Sequence, residues 1–382
     1  MKVLQRYFAS EIMQSVLFVL AAFLALFTFF DLVSELKYVG QGGYRWQHAF
    51  TFVVMGLPGY AYELMPIAVL IGTIYALARF AANSEFTVMR AASMSTMMAG
   101  GMLARIGLVF VIATILIGEL LAPITAKAAE QMKMTAMGTS LKQSFRSGTW
   151  SKDQIRESGI NSRAIGSRFM NIGRLQPDGQ LRDLNIYELD ADLQLTTIIR
   201  AKTAEYMGDN TWRLGEVTET VLEKPGAGAD ALVPGFPSAI TIKKLEKREM
   251  VSDITPNILS VLFVKPDRMS AYDLFVYKKH LEENSRENAT YQIAFWKKVI
   301  YPLSVFVMMA MALPFAYLHF RSGGISLKIF SGIMIGVGFV LLNNMLSHIG
   351  LLNTWPPFFT AALPSSLFLL MSVGALWWVE RH

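Results

Sequence analysis

Glu63 and Glu119 are the acids that interrupt the long apolar stretches of this chain. A carboxylate held in lipid is costly, so it marks either a functional group or a group paired to a neighbouring helix or hydrated at the interface. Counted from Arg79 and Arg105, both acids fall toward the same end of their stretches. Lys37, Lys127, Lys133, Lys297 and Lys298 flank such stretches, and ammonium groups suit anions through charge-assisted hydrogen bonds. Covalent chemistry has no comparable set. The histidines at 48, 280, 319, 348 and 382 form no H-E-x-x-H pair, and no G-x-S-x-G occurs. Gly323-Gly324-Ile325-Ser326-Leu327-Lys328 is not a G-x-x-x-x-G-K-[ST] loop, so the chain has no ATP cradle of that kind. With no cysteine, disulfides, thiolate zinc sites and cysteine nucleophiles are excluded.

The elements that carry these residues follow from the placement of charge. Of 382 residues, 53% are hydrophobic and 17% charged, against about 25% charged in an ordinary soluble domain. Residues 127–298 hold 25 Lys/Arg and 22 Asp/Glu, so a polar insert separates two apolar blocks. About 20 apolar residues cross a bilayer as a helix. Spans are predicted at 12–30, 49–78, 106–126 and 299–320, with two more inside 329–379, which has no Asp, Glu, Lys or Arg. Asn353-Thr354-Trp355-Pro356-Pro357 divides these last two. The stretch 49–78 is long for one straight span, and Pro58, Gly59 and Pro66 offer places for a break or kink. Gly332, Gly336 and Gly338 allow close helix approach or merely thin their helix.

With the N-terminus inside, the inner segments hold Lys2, Arg6, Arg79, Arg90, Arg105, Arg321, Lys328 and Arg381, while the short outer loops hold Lys37 and Arg45. The positive-inside rule favours this orientation and puts the insert outside, in the periplasm of a bacterium. The five lysines then gather at one outer mouth, on three spans. Either they contact an anionic headgroup, or they snorkel to ordinary lipid and pair with Asp31, Glu35 and Glu130.

The insert reads as β. Leu193, Leu195, Thr197 and Ile199 alternate as a half-buried strand, and Pro/Gly/Asp/Asn turns recur. The spacing predicts an antiparallel sandwich or jellyroll-like domain. From Ser270 a helix begins, with Ser270 and Asp273 as a capping box and Leu274, Tyr277 and Leu281 on one face. The fold class is therefore six transmembrane helices with an antiparallel β domain between the third and fourth. The predicted divisions are 1–135, 136–266 and 267–382. Between spans two and three, 80–98 forms a short inner helix that either docks a partner or simply turns the chain round.

Asn83-Ser84-Glu85-Phe86-Thr87-Val88-Met89-Arg90-Ala91-Ala92 resembles the signature of the LptF/LptG family of permeases. Tyr62-Glu63-Leu64-Met65-Pro66, Gly118-Glu119-Leu120-Leu121-Ala122-Pro123 and Trp296-Lys297-Lys298-Val299-Ile300-Tyr301-Pro302 are similar to the same family, the LptG branch more than the LptF branch. The resemblance implies a non-enzymatic permease subunit of an ABC transporter. This subunit extracts lipopolysaccharide from the bacterial inner membrane and passes it, through a periplasmic β-jellyroll, to a periplasmic bridge. It implies an LptF-like partner permease, an LptB-like ATPase dimer binding ATP and Mg, an LptC-like subunit and an LptA-like bridge, with no cofactor in this chain and no nucleic acid. It makes 80–98 the coupling helix, with Glu85, Phe86, Met89 and Arg90 facing the ATPase. It favours Lys37, Lys133 and Lys298, then Lys127 and Lys297, as headgroup contacts. Phe23, Phe27 and Phe30, with Leu193, Leu195 and Ile199 in the β domain, are candidate acyl-chain linings. The competing class is an ion-driven secondary transporter of a lipid or other amphipathic anion. That class favours repeats and midplane charges, and no repeat is visible here.

Overall fold

The computed structural model describes residues 2–85, 88, 96–137, 149–156, 164–175, 180–223, 239–256, 259, 266–283, 289–317 and 325–381. Helices α1 (Lys2–Glu35) and α2 (Trp46–Ala82) are followed by α3 (Thr96–Leu116). A π-helical turn, Ile117–Leu121, joins α3 to α4 (Ala122–Met137). The β domain follows, then α5 (Ala271–Glu283) and α6 (Ala289–Ile300). A 3₁₀ turn at Tyr301–Leu303 leads to α7 (Ser304–Ala312) and α8 (Pro314–Tyr317), and the chain ends with α9 (Ile325–Leu352) and α10 (Pro357–Arg381).

Among the described residues six helical segments are long and apolar enough to cross a membrane: Gln5–Tyr38, Trp46–Ala82, Met98–Met137, Ala289–Ala316, Ser326–Leu352 and Pro357–Trp378. The predicted number and order hold. The helices outrun the predicted spans because each added helical residue satisfies its own backbone locally, whether or not lipid surrounds it. The second span is one continuous helix through Pro58 and Pro66. Each proline removes one hydrogen bond, but a full break in an apolar setting would leave several groups unpaired at several kcal/mol each. This helix is the most enclosed of the six; Val69, Leu70, Ile74 and Leu77 are fully buried and pack with Ile12 and Val16 of α1 and Val305 and Met308 of α7. Gly332 and Gly336 of α9 let Ile74 and Ile67 approach to distances a Cβ would violate, whereas Gly338 faces open space.

Among the described residues the insert forms a single six-stranded antiparallel sheet: β1 Thr149–Arg156, β2 Ala164–Leu175, β3 Leu181–Asp190, β4 Leu195–Gly208, β5 Thr211–Glu223 and β6 Ala239–Val251. The strands lie in chain order, each paired with its successor. Its core joins Met170, Ile186, Ile199 and Leu214 to Ile254 and to Leu274 and Tyr277 of α5, and the Trp212 indole donates to the Ile254 carbonyl at 2.7 Å. The two sheet edges meet through side chains. Ser252, just past β6, donates to Asp153 of β1 at 2.7 Å, and Arg168 of β2 donates to the Val251 carbonyl at 2.8 Å. Arg168 also pairs with Glu188 at 2.9 Å. Burial pushes the fully enclosed Asp153 carboxyl up from its ordinary value, while Ser252 and Arg168 pull it down.

One strand prediction is corrected. Leu193 is not in β4 but in the β3–β4 turn, at φ +59° and exposed. Asp190 closes that turn by accepting the N–H groups of Asp192 and Gln194 at 3.0 Å each. The strand therefore starts at Leu195.

Candidate functional site

At the end of the spans nearest the β domain, a cleft of about 550 Å³, counting its open mouth, lies between α1, α2, α4 and α6. Asp31, Glu63, Glu130 and Asp267 give it acidic groups; Arg268 and Lys298 give it cations; Phe52, Met55 and Tyr62 give it apolar and aromatic wall. Helix α2 supplies much of the wall because its small residues Gly56 and Gly59 leave room beside its aromatics. The cations come from beyond the β domain, on the 3₁₀ turn Pro266–Arg268 and on α6.

Lys298 is the buried cation of this cleft, at 6% exposure. Its ammonium stands 4.3 Å from the centre of the Tyr62 ring. Among the described residues no carboxylate oxygen lies within ion-pair distance of it; Glu63, Glu119 and Asp267 act on it from farther away. A cation stacked on a ring and short of a close anion has electrostatic capacity left for one. The Tyr62 ring is itself seated against Gly118 of the π turn, where a Cβ would stand 2.4 Å from a ring carbon. Tyr301 donates to the Glu63 carbonyl, so the α6–α7 junction is tied to α2.

Lys133 is in the opposite state. Its ammonium pairs with Glu35 at 2.6 Å and lies over the rings of Tyr38 and Phe52. The buried Glu35 also accepts from the Tyr44 hydroxyl at 2.8 Å. Burial first, then that carboxylate, pushes the Tyr44 hydroxyl well up from its ordinary value. Lys127 pairs with Asp273 at 2.8 Å. Lys37 is exposed on the 3₁₀ turn that ends span one, and Lys297 is half-buried on α6. Pairing with acids therefore describes Lys127 and Lys133, and only Lys298 lines the cleft directly.

The two intramembrane acids also part company. Glu63 faces the cleft. Glu119, in the π turn, accepts the Ala271 N–H at 2.9 Å and so caps α5 from another helix. Ser270 supplies the local half of the predicted cap, accepting the Asp273 N–H at 3.0 Å. Arg268, which lines the cleft, and Tyr60, which bonds the lining Asp31, were not visible in the sequence. Arg268 sits in a short Pro-Asp-Arg turn with no periodic signal, and Tyr60, which donates to Asp31 at 2.6 Å, looks like any aromatic of an apolar helix.

The apolar candidates do not form one surface. Phe23 packs partly on the membrane core, Phe27 touches Tyr60, and Phe30 is exposed. In the β domain Ile199 is fully buried in the core, Leu195 is 38% exposed and Leu193 lies in the turn. Leu193 therefore does not share the alternation of Leu195 and Ile199, because the turn reverses the chain before the strand begins. At the opposite end of the spans, Glu85 accepts from Asn83 at 3.1 Å, and Arg79 pairs with Glu11 at 3.0 Å. Phe86, Met89 and Arg90 lie outside the described residues.

Comparison with known proteins finds one family along nearly the whole chain. The family described as lipopolysaccharide export system permease LptF/LptG matches residues 6–380. The lipopolysaccharide export system permease protein LptG of Escherichia coli K12 is 29% identical over 375 residues, covering 98% of each chain. That of Haemophilus influenzae is 28% identical over 377 residues, covering 98% of this chain and 97% of its own.

Proposed function

The chain belongs to the LptF/LptG family of lipopolysaccharide export permeases, and from that membership we propose that it is the LptG-type subunit of an inner-membrane ABC transporter for lipopolysaccharide. The observation that carries this reading is the extent of the match. It runs from residue 6 to residue 380 and so takes in both sets of spans and the β domain between them. In this reading the termini are cytoplasmic and the β domain periplasmic. A separate ATPase dimer binds ATP and Mg and docks near Glu85, an LptF-like permease completes the membrane pathway, and LptC-like and LptA-like proteins receive the lipid.

The cleft supplies the recognition chemistry. Lipid A phosphates are anions attached to an apolar body. Lys298 and Arg268 would face the phosphates. The acids Asp31, Glu63 and Glu130 keep such binding from becoming irreversible, since each phosphate gained is opposed by nearby negative charge. Exposed aromatic and aliphatic residues of α1, such as Phe27 and Phe30, offer apolar surface beside it. Exposed acyl chains cost about 0.8 kcal/mol per CH₂ in water, so an export path needs such surface throughout.

The test is reconstitution of this chain with its partner permease and ATPase in lipopolysaccharide-containing vesicles. ATP should drive release of lipopolysaccharide to a soluble acceptor. Transport by this chain alone, driven by an ion gradient and indifferent to ATP, would overturn the reading in favour of a secondary transporter.

A further inference from the structure

Helix α5 is apolar on two opposite sides. Leu274 and Tyr277 are buried in the β-domain core. Tyr272, Phe275 and Val276 face away from it and are 74%, 52% and 38% exposed. With the exposed Lys279 they follow the i, i+3, i+4, i+7 spacing of a single helix face. A helix that is apolar all round is normally covered all round.

Two observations set the depth of this uncovered face. The first is the attachment of α5 to span three. The Ala271 N–H donates to Glu119 at 2.9 Å, and Lys127 pairs with Asp273 at 2.8 Å. Along the helix from Arg105, Glu119 stands about 21 Å into a hydrocarbon core about 30 Å thick. The first turn of α5 is thereby held about 9 Å short of the outer margin of that core, within the depth of about 5–10 Å at which an interfacial helix lies. The second is a run of aromatic rings leading from α5 to span six. Phe275 lies 6.3 Å from Phe295, Phe295 lies 5.5 Å from Trp296, and Trp296 lies 5.0 Å from Phe358. Phe358 is in the first turn of α10, where the chain re-enters the membrane. Amphipathic rings gather at the water–lipid boundary of spanning proteins, and this run marks that level.

We propose that α5 is an interfacial helix, with Tyr272, Phe275 and Val276 seated in bilayer lipid at the boundary between acyl chains and headgroups. Lys279, one turn further on, lies among the phosphates, where basic residues on a half-immersed helix are favoured. Glu119 and Lys127 hold the helix at this depth, and its other face carries the β-domain core. The base of the β domain is thus anchored to the membrane surface through lipid as well as through the connecting chain. The partner is ordinary bilayer lipid, so the inference stands apart from the cargo bound in the cleft.

The chain has no cysteine, so single labels are specific. Nitroxides placed by Tyr272→Cys, Phe275→Cys and Val276→Cys are read in the full chain, reconstituted in phosphatidylethanolamine–phosphatidylglycerol vesicles. Collision with oxygen, which concentrates in lipid, is compared with collision with a water-soluble nickel chelate. Oxygen should dominate at all three positions, and the ratio should reverse for Leu193→Cys, an exposed site in the β3–β4 turn, at the other end of β4 from the Ser252–Asn210 contact. Nickel dominance at positions 272, 275 and 276 would make the face water-exposed. Shielding from both reagents would make it a protein contact. Either result overturns the proposal.

Discussion

Lys133 and Lys298 carry the same charge toward the same end of the spans, and their surroundings give them opposite roles. Lys133 neutralises the buried Glu35, so Lys133→Ala strands a carboxylate and should cost about 2–3 kcal/mol of stability. Lys298 has the Tyr62 ring and no close carboxylate among the described residues. Lys298→Ala should therefore change stability by less than about 1 kcal/mol while lowering the lipopolysaccharide retained on purification. Thermal unfolding beside lipid content separates the two, and equal loss of stability in both variants would refute the distinction. Asp153 offers a pH test in the β domain. Its folded carboxyl binds a proton more tightly than the unfolded one. The associated stabilisation is complete below the unfolded value and is lost as pH rises through the folded one. The stability advantage of the native chain over Asp153→Asn should accordingly shrink as pH rises above about 4 and then level off. A pH-independent difference would show that the carboxyl is not perturbed.

Elements meet here through single side chains. The π turn Ile117–Leu121 inserts an extra residue into span three, placing Gly118 against Tyr62 and Glu119 under the start of α5. Glu119→Leu should cost about 1 kcal/mol, the worth of a helix cap, and appear as several-fold faster amide exchange in the first turn of α5. Unchanged exchange there would mean that Ser270 suffices. The β3–β4 turn gives the reverse kind of test. Leu193 holds a left-handed conformation that costs a branched residue about 1–2 kcal/mol. Leu193→Gly should relieve it and, after its own entropy cost, raise stability by about 0.5–1 kcal/mol in denaturant titration. Destabilisation would show that the side chain is packed on something.

For the whole molecule, the charge asymmetry predicts that the β domain and the start of α9 lie on opposite sides of the membrane. An impermeant maleimide should label Met207→Cys in spheroplasts, and Ser326→Cys only after permeabilisation. Both positions are exposed, so access is decided by the membrane. The opposite labelling pattern would invert the orientation.

The number of spans and the position of the β domain were legible in the sequence because bilayer thickness imposes a one-dimensional signal: some twenty apolar residues between charges. The Ser270 cap and the start of α5 were legible for a similar reason, since a cap is a contact between near neighbours. The partners of the charged groups were legible at most as alternatives: Glu35 was one candidate acid for the outer lysines, and the contacts of Glu119 and Asp153 had no signal. Glu35 meets Lys133, Glu119 meets the backbone of Ala271, and Asp153 meets Ser252, each across about a hundred residues or more of intervening chain. Residue type decided that each needed a partner, because a buried charge is costly alone. Which partner it found was decided only when helices and sheet packed, since packing sets distance and Coulomb energy depends on distance. Leu193 shows the same division within one hairpin. Its alternation with Leu195 was real, but Asp190 captured the backbone two residues early and turned the chain before the strand could begin.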